Sequence, residues 1–236
     1  MSVALSFDLE LDGDIILCAS SAWTNGLLNF PTTWTSYDKE GYVAMLPETL
    51  GAFIASLWKA HSDGIVLVTW GGTGSDWKAL IKAAPEHSDK IREMALASVD
   101  IPLISAASNG MMMGLAATAQ GMGIGDRPSC DSEQVPKLWR TGDVAKQNEV
   151  VSHVRWDAWA CAFIYSKLFM SSQFDRPQLT WVTQRSGRRS VRLQRTREGE
   201  GFKLPTVGEI LTWDQPVSSF PIPDHLSSEK MMAWLR

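Results

Sequence analysis

The sequence predicts an α/β fold in which helices flank a mixed β-sheet, and two observations lead to this prediction. Near the N-terminus, short apolar runs joined by turns indicate a meander of strands. Further along, an amphipathic helix over residues 47–62 precedes the continuous apolar run 65–70, which is typical of a strand buried on both faces. A helix between two strands indicates a βαβ unit with parallel strands, so the whole sheet is expected to be mixed.

The first strand carries the most informative side chains. An apolar run over residues 3–7 leads directly into Asp8 and Glu10. Residues two apart on a strand point to the same face, so these carboxylates are expected to lie side by side. Like charges at that distance repel and raise a pKa unless a cation neutralises them, and Mg²⁺ and Mn²⁺ prefer such oxygen ligands. The alternative is an edge strand with two solvated acids.

The composition is that of a globular protein. The chain has 236 residues, which is enough for one large α/β domain or for one domain with a small appendage. Of these residues, 44% are hydrophobic and 20% are charged, as is ordinary for a globular protein. A net charge of -4 excludes a uniformly basic nucleic-acid binder, but not an enzyme with a local basic surface. The three cysteines form no Cys-x-x-Cys pair, so a structural zinc site is not expected. Free thiols, and no signal peptide or membrane-spanning stretch, predict a cytoplasmic protein without a membrane partner.

The remaining predicted elements follow in chain order. Strands are expected at 15–20 and, interrupted by a turn at 38–41, over about 34–45. Helices are expected from Ser75 or Asp76, over 86–97, over the small-residue stretch 114–123 and over about 143–170. Residues 100–104 are interpreted as an extended link, and 125–136 as a polar loop.

Two further acids lie in a context that favours function. Asp76 follows a glycine-rich turn after the buried run, although this turn lacks the spacing of a Walker loop or a dinucleotide-binding fingerprint. Asp157 lies four residues after His153 on the long helix, so both occupy one helix face. The simpler alternatives are that Asp76 only caps a helix and that His153 and Asp157 form a surface pair.

The C-terminal region, residues 173–236, differs from the rest. Its two β-like runs flank Ser186-Gly187, which predicts a hairpin, and a short helix is expected near 207–211. The hairpin is strongly basic through Arg185, Arg188, Arg189, Arg192, Arg195 and Arg197. We therefore divide the chain into a main domain over 1–172 and a basic hairpin and tail over 173–236 that packs on it.

In their order, the acidic motifs resemble those of the DEDD superfamily of 3'-5' exonucleases, which have a ribonuclease H-like domain. Residues 7–10 resemble the first motif of that family, residues 69–77 the second, and residues 153–157 the third. One branch of the family has His five residues before the last Asp, and the other has Tyr four residues before it. Here His153 lies four residues before Asp157, so the residue type fits one branch and the spacing the other.

The resemblance implies a ribonuclease H-like fold and two Mg²⁺ or Mn²⁺ ions held by Asp8, Glu10, Asp76 and Asp157. Two ions about 3.5–4 Å apart stabilise both the entering and the leaving oxygen of phosphodiester hydrolysis. Asp8 is expected to bridge the ions, Glu10 and Asp157 to hold the ion that activates water, and Asp76 to act partly through water. His153 is the expected general base, because an unperturbed imidazole has a pKa near about 6.5.

Contacts to nucleic acid are also expected. Backbone groups at Leu9, Leu11 and Gly72 are expected to approach the terminal nucleotide, and Trp70 or Trp77 to stack on a base. Arg188 and Arg189 are expected to follow the phosphate backbone. Core packing is the alternative for both tryptophans, and a solvated hairpin or a partner-binding tail is the alternative for the arginines.

The sequence therefore predicts a metal-dependent 3'-5' exonuclease acting on single-stranded or 3'-ended DNA or RNA. A ribonuclease H-like endonuclease is the alternative enzyme, since that wider class also gathers acids around two metals. A catalytically degenerate adaptor that binds nucleic acid or protein is the alternative without enzymatic activity. The chain is expected to act alone or through a recruiting protein, and the sequence leaves its oligomeric state open.

Overall fold

The computed structural model describes residues 3–24, 31–38, 41–109, 112–128, 131–172, 176–183, 189–196, 204 and 206–211; in 107–109, 169–172, 176–183 and 189–196 the description covers the backbone alone. The strands in chain order are β1 (Ala4–Asp12), β2 (Ile15–Trp23), β3 (Thr32–Trp34), β4 (Ser36–Tyr37), β5 (Tyr42–Val43), β6 (Val66–Thr69), β7 (Val99–Asp100), β8 (Arg176–Thr183) and β9 (Arg189–Thr196). The helices are α1 (Pro47–Ser62), α2 (Asp76–Ala83), α3 (Ser88–Ala97), α4 (Ile101–Asn109), α5 (Leu115–Gly121), α6 (Val135–Trp139), α7 (Val144–Ser172) and α8 (Val207–Leu211).

The main sheet has five strands in the order β3-β2-β1-β6-β7. Its central strand β1 pairs antiparallel with β2 through a tight turn, and parallel with β6, which follows helix α1. Strand β7 extends the parallel part beyond β6. The predicted α/β fold, with a mixed sheet flanked by helices, is therefore confirmed.

The two faces of β1 differ in chemistry, and this difference positions the site. Leu5, Phe7 and Leu9 belong to the largest hydrophobic core, together with buried side chains of α1, α2 and α3. The alternate residues face the other side, where Ala4 packs with α5 and α7. Because side chains alternate along a strand, Asp8 and Glu10 share the face covered by α7.

Helix α7 contacts the sheet through small residues. Ala22 on β2 packs against Ala158 and Ala162 on α7. Ser6 Oγ donates a hydrogen bond to the carbonyl oxygen of Ala158 at 2.5 Å, and it also contacts the carbonyl of Ala22 at 3.2 Å. The contact places Asp157, which precedes Ala158, beside the acids of β1.

Several sequence-based boundaries are wrong. Residues 100–104 are not an extended link: Asp100 ends β7 and α4 begins at Ile101. The Asp100 carboxylate accepts a hydrogen bond from the Leu103 amide at 3.4 Å, and Pro102 lies in the first turn of the helix, where its missing N–H has no cost. The predicted polar loop also contains the start of α6, and the third strand is divided into three short pieces, β3, β4 and β5.

The described part of the tail contacts helices of the preceding chain: β9 contacts α5, β8 contacts α7 and α8 contacts α3. The backbone of β8 and β9 forms the predicted antiparallel hairpin, and β9 runs beside α5. Helix α8 is held by the Val207 amide, which donates to the Ser98 carbonyl at 2.8 Å. The expected turn at 186–187 lies outside the described residues, and the domain division at residue 172 stays a prediction. Within the described chain, no helix combines the length and the hydropathy required to cross a bilayer.

Candidate active site

The candidate site is a cleft at the edge of the sheet where the parallel strands β1, β6 and β7 end. Its volume is about 420 Å³, and Asp8, Glu10, Asp76 and Asp157 all line it. Ligand sites in open α/β sheets occur at this edge, beyond the carboxyl ends of the strands. The structure thus brings together the four acids that the sequence separates by up to 149 positions, from Asp8 to Asp157.

Strand β1 supplies two of these carboxylates. Asp8 is half-buried, whereas Glu10 is buried and sits directly before a change of register with β2. This irregularity lies between Glu10 and Leu11, as expected for a bulge, which bends a strand locally. The alternation along β1 keeps both acids on the face of the sheet that α7 covers.

Asp76 reaches the cleft through a tightly built turn. Gly71 has a φ of 79°, which favours glycine, and a side chain on Gly72 would come within 2.7 Å of Thr69 Cβ. Asp76 is the first residue of α2, where a carboxylate is favoured by the helix dipole, and Ser75 Oγ donates to Asp76 Oδ1 at 2.9 Å. The helix start therefore aims this carboxylate at the cleft.

The sequence reasoning missed Asp100, which holds this turn in place. Its buried carboxylate accepts hydrogen bonds from the amides of Gly71 at 3.0 Å and Thr73 at 2.9 Å. Burial raises its pKa, while these hydrogen bonds lower it. A helix-capping signal was present in the sequence, because Asp100 precedes Pro102 by two residues.

Helix α7 contributes His153 and Asp157 on one face. His153 is fully buried; its Nε2 atom lies 3.4 Å from Glu10 Oε1 and 3.7 Å from Asp157 Oδ2. The imidazole is therefore placed behind the two carboxylates, whereas Asp157 itself faces the cleft. His153 lies beside Glu10 and Asp157, as the sequence predicted. The role of His153 as a general base stays a prediction.

Arg127 is a second residue that the sequence reasoning did not select. It lies in the loop between α5 and α6, and its Nε donates to Asp157 Oδ1 at 2.8 Å. Its Nη2 also donates to Asp157 Oδ2, so the pair is bidentate. No local spacing relates residues 127 and 157, and a single arginine after glycines in a polar loop carries no distinguishing pattern.

The carboxylates strongly perturb one another. Burial raises the pKa of Asp8 well above its usual range, and the charges of Asp157, Asp76 and Glu10 raise it further. Burial is also the main cause that raises the pKa of Glu10 to about 8 and that of Asp76 to about 7. The pKa of Asp157 is raised by burial even though the guanidinium of Arg127 lowers it. Burial, and for Asp8, Glu10 and Asp76 also the neighbouring acidic charges, therefore disfavours the ionised form of each carboxylate.

This donor set fits a divalent cation. Glu10, His153 and Asp157 each present one ligand atom, and these atoms lie within 4.8 Å of one another. A dication would offset the repulsion that raises the carboxylate pKa values. Carboxylate oxygens suit Mg²⁺ and Mn²⁺, whereas an imidazole ligand favours transition metals. The buried group can thus hold a metal ion.

The predicted nucleic-acid contacts separate into two groups. Leu9, Leu11 and Trp70 line the cleft, and Trp70 is fixed by its Nε1 atom donating to the Met113 carbonyl at 3.1 Å. Trp77 is fully buried and meets Phe7 edge-to-face with ring centroids 4.7 Å apart, so its indole offers no surface for a base. The alternative of core packing is the one that applies to Trp77.

The other predicted contacts lie away from the cleft or outside the residues that the structure describes. Gly72 is buried against Thr69, so its small size serves the turn. Arg188 lies outside the described residues, and Arg189 is described only as the first backbone position of β9. The role of both arginines stays a prediction.

Comparisons with known proteins show the fold. No protein-family model matches the chain, and no curated protein matches it. Among solved structures, 39 chains match, including the family B DNA polymerase from the hyperthermophilic archaeon Pyrobaculum calidifontis, with a TM-score of 0.54 and 16% identity. The alignment covers 72% of this chain and 25% of the polymerase chain, so this chain spans about a quarter of the polymerase's length. The shared architecture is consistent with a ribonuclease H-like fold.

Proposed function

We propose that this protein is a metal-dependent 3'-5' exonuclease that hydrolyses phosphodiester bonds from the 3' end of DNA or RNA. The observation that carries the proposal is the convergence of Asp8, Glu10, Asp76 and Asp157 on one cleft of about 420 Å³. Holding several divalent ions needs several carboxylates, and this geometry supplies four from β1, α2 and α7. The motif order resembling the DEDD superfamily supports the same reaction.

In this proposal the four carboxylates would hold two Mg²⁺ or Mn²⁺ ions, and Asp8 would be a ligand of both. Glu10 and Asp157 would hold the ion that activates water, and Asp76 would contribute to the other site. Bound divalent ions lower the pKa of water and stabilise charge on the phosphoryl oxygens. The chain's own contribution is to fix these oxygens rigidly: Ser75 orients Asp76, Asp100 holds the turn before it, and α7 is docked on β1.

His153 is proposed to accept the proton of the attacking water. Its Nε2 atom faces Glu10 and Asp157, the two carboxylates assigned to the water-activating ion. A general base takes its proton either directly or through one water molecule. Because the imidazole is buried, His153 is proposed to take the proton in one of these two ways from water bound in the cleft. Replacing His153 by Ala should lower turnover about 100-fold or more, and it should affect metal binding less than it affects turnover.

The substrate is proposed to be a single-stranded end. Trp70 presents an aromatic side chain in the cleft, where a base can stack on it, and Leu9 and Leu11 lie beside the carboxylates. The structural neighbour is a DNA polymerase, which supports nucleic acid as the ligand class. Arg188 and Arg189 of the basic hairpin are proposed to follow the phosphate backbone further from the cleft.

The direct test is digestion of 5'-labelled single-stranded DNA and RNA with Mg²⁺, with Mn²⁺ and with chelator. We expect a metal-dependent ladder that shortens from the 3' end and disappears in Asp8→Asn and Asp157→Asn. Asp14→Asn is the matched control, because Asp14 lies in the turn after β1 and pairs with Lys82 at the surface. Its activity should equal that of the wild type.

The alternatives predict other outcomes. A ribonuclease H-like endonuclease would cut a circular single strand, which an exonuclease leaves intact. A folded wild type that degrades neither DNA nor RNA with either metal would contradict the exonuclease proposal and favour a binding adaptor. Equal activity of Asp8→Asn and wild type would show that the cleft is not the active site.

A further inference from the structure

The position of Arg127 is unexpected for a cleft built to hold dications. Among the described residues that line the cleft, Arg127 is the one with a basic side chain. Its guanidinium binds both oxygens of Asp157. The Asp157 side chain is 7% exposed and that of Arg127 is 25% exposed, so the pair lies at the inner wall while Arg127 still reaches the opening.

This pair conflicts with a metal ion at the same carboxylate. Asp157 is one of the three groups whose ligand atoms lie within 4.8 Å of one another, and the oxygen that faces His153 is also the one that Arg127 Nη2 contacts. A dication on Asp157 would lie within a few ångströms of the guanidinium. Two positive charges at such a distance repel each other strongly where water is excluded. The metal ion and the guanidinium therefore compete for Asp157.

Arg127 is attached to the fold in a way that permits it to leave Asp157. The preceding loop is anchored at Ile124, which is buried and donates its amide to the Ala119 carbonyl at 2.9 Å. Gly123 and Gly125, on either side of this anchor, have φ values of 72° and 84° and open space where a Cβ would be. The long arginine side chain extends from this loop, so its guanidinium can move while the anchor stays.

We propose that Arg127 exchanges Asp157 for a phosphate group of the substrate when a divalent cation binds in the cleft. In the metal-free protein, Arg127 supplies the positive charge that the carboxylates require. When a metal takes Asp157, the released guanidinium remains at the cleft, where an incoming polyanion meets four carboxylates. The planar fork that fits a carboxylate also fits a phosphate in a bidentate manner. The phosphate partner in this inference rests on the proposed function, whereas the competition between Arg127 and the metal ion does not.

The competition is tested by titrating the metal-free full chain with Mn²⁺ in a calorimeter. Arg127→Gln should bind Mn²⁺ about tenfold more tightly than the wild type, because the competing charge is gone. Arg140→Gln is the matched control: Arg140 forms the same forked pair with Asp12 at the end of β1, but it does not line the cleft. Its Mn²⁺ affinity should remain within about twofold. Unchanged or weaker Mn²⁺ binding by Arg127→Gln overturns the proposal.

The exchange is tested with a nucleotide that cannot be degraded further. At saturating Mn²⁺, thymidine and uridine 5'-monophosphates should bind Arg127→Gln about tenfold more weakly than the wild type, while Arg140→Gln binds them normally. Arg127→Lys, which keeps the charge but loses the fork, should recover part of the affinity. Equal nucleotide affinity of Arg127→Gln and wild type overturns the exchange.

Failures of the two proposals can be told apart. If the wild type digests nucleic acid while Arg127→Gln keeps wild-type Mn²⁺ and nucleotide affinities, the inference about Arg127 alone is overturned. If the wild type neither digests nucleic acid nor binds nucleotide, the proposed function and the phosphate partner fall together. Tighter Mn²⁺ binding by Arg127→Gln would still support the competition at Asp157 in that case.

Discussion

The two faces of strand β1 have opposite effects on the stability of the fold. One face presents Leu5, Phe7 and Leu9 to a core in which Phe7 contacts Phe53 and Trp77 with ring centroids 5.8 Å and 4.7 Å apart. The other presents Asp8 and Glu10 to a cleft where burial and mutual repulsion raise their pKa values. Burial of the first face stabilises the fold, while burial of the second costs free energy.

This difference shows how one strand can hold a charged site in position. The apolar face buries side chains that need no hydrogen-bond partner, so its packing stabilises the fold. The same backbone carries the acids on the opposite face. The acids are therefore held in position by contacts that they do not make themselves. A functional site can be unfavourable in isolation when the opposite side of the same strand is well packed.

The largest effect is expected from breaking the apolar face. Phe7→Ala should lower the free energy of unfolding by about 3–5 kcal/mol, because it removes a fully buried ring and leaves a cavity. Chemical denaturation measures this loss. Ile15→Ala on β2 is the control, since Ile15 is 54% exposed and its change should stay within about 0.5 kcal/mol. A small effect of Phe7→Ala would mean that the face does not carry the packing described.

The acidic face should appear in the pH dependence of stability. Because the pKa values of Glu10 and Asp76 are raised to about 8 and about 7, the folded state binds more protons than the unfolded state between about pH 4.5 and 8. The free energy of unfolding in chelator should therefore fall across this window as the pH rises, because the folded state binds the additional protons there. Saturating Mn²⁺ should remove this fall, because metal binding favours deprotonated ligands.

Thermal melts at several pH values, with chelator and with Mn²⁺, measure this effect. Asp8→Asn removes one of the repelling charges, so its melts in chelator should depend less on pH than those of the wild type. Asp14→Asn, at the exposed turn after β1, should keep the wild-type dependence. A wild-type stability that rises from pH 5 to 8 in chelator would show that the carboxylates are not strained as described.

The smallest effect concerns the contact that joins the acidic face to α7. Ser6 lies on the same face as Asp8 and Glu10, and its hydroxyl donates to the Ala158 carbonyl. Ser6→Ala should lower the free energy of unfolding by about 1 kcal/mol, the usual value for one hydrogen bond. If the Ser6→Ala protein remains folded under the assay conditions but its turnover falls strongly, then the distance between β1 and Asp157 is critical for the chemistry. Denaturation and digestion assays on the same preparation separate these effects.

Local sequence patterns were sufficient for much of this architecture. The apolar run over residues 3–7 predicted a strand that places Asp8 and Glu10 on one face, and helical periodicity located α1 and α7 closely. Asp100 shows how such reasoning fails, because a capping residue and Pro102 were interpreted as an extended link. The signal was local, but it competed with the general expectation that a Pro interrupts regular structure.

Arg127 marks the limit of the sequence more clearly. The amino-acid sequence by itself determined the residue types, the strand alternation and the helix faces, since these depend on backbone geometry over a few residues. Only the tertiary structure decided that Arg127 meets Asp157, that His153 lies buried behind Glu10, and that Trp77 belongs to the core while Trp70 lines the cleft. These outcomes depend on how α7, the loop after α5 and the sheet edge pack together, because distances across a fold are set by packing rather than by spacing along the chain.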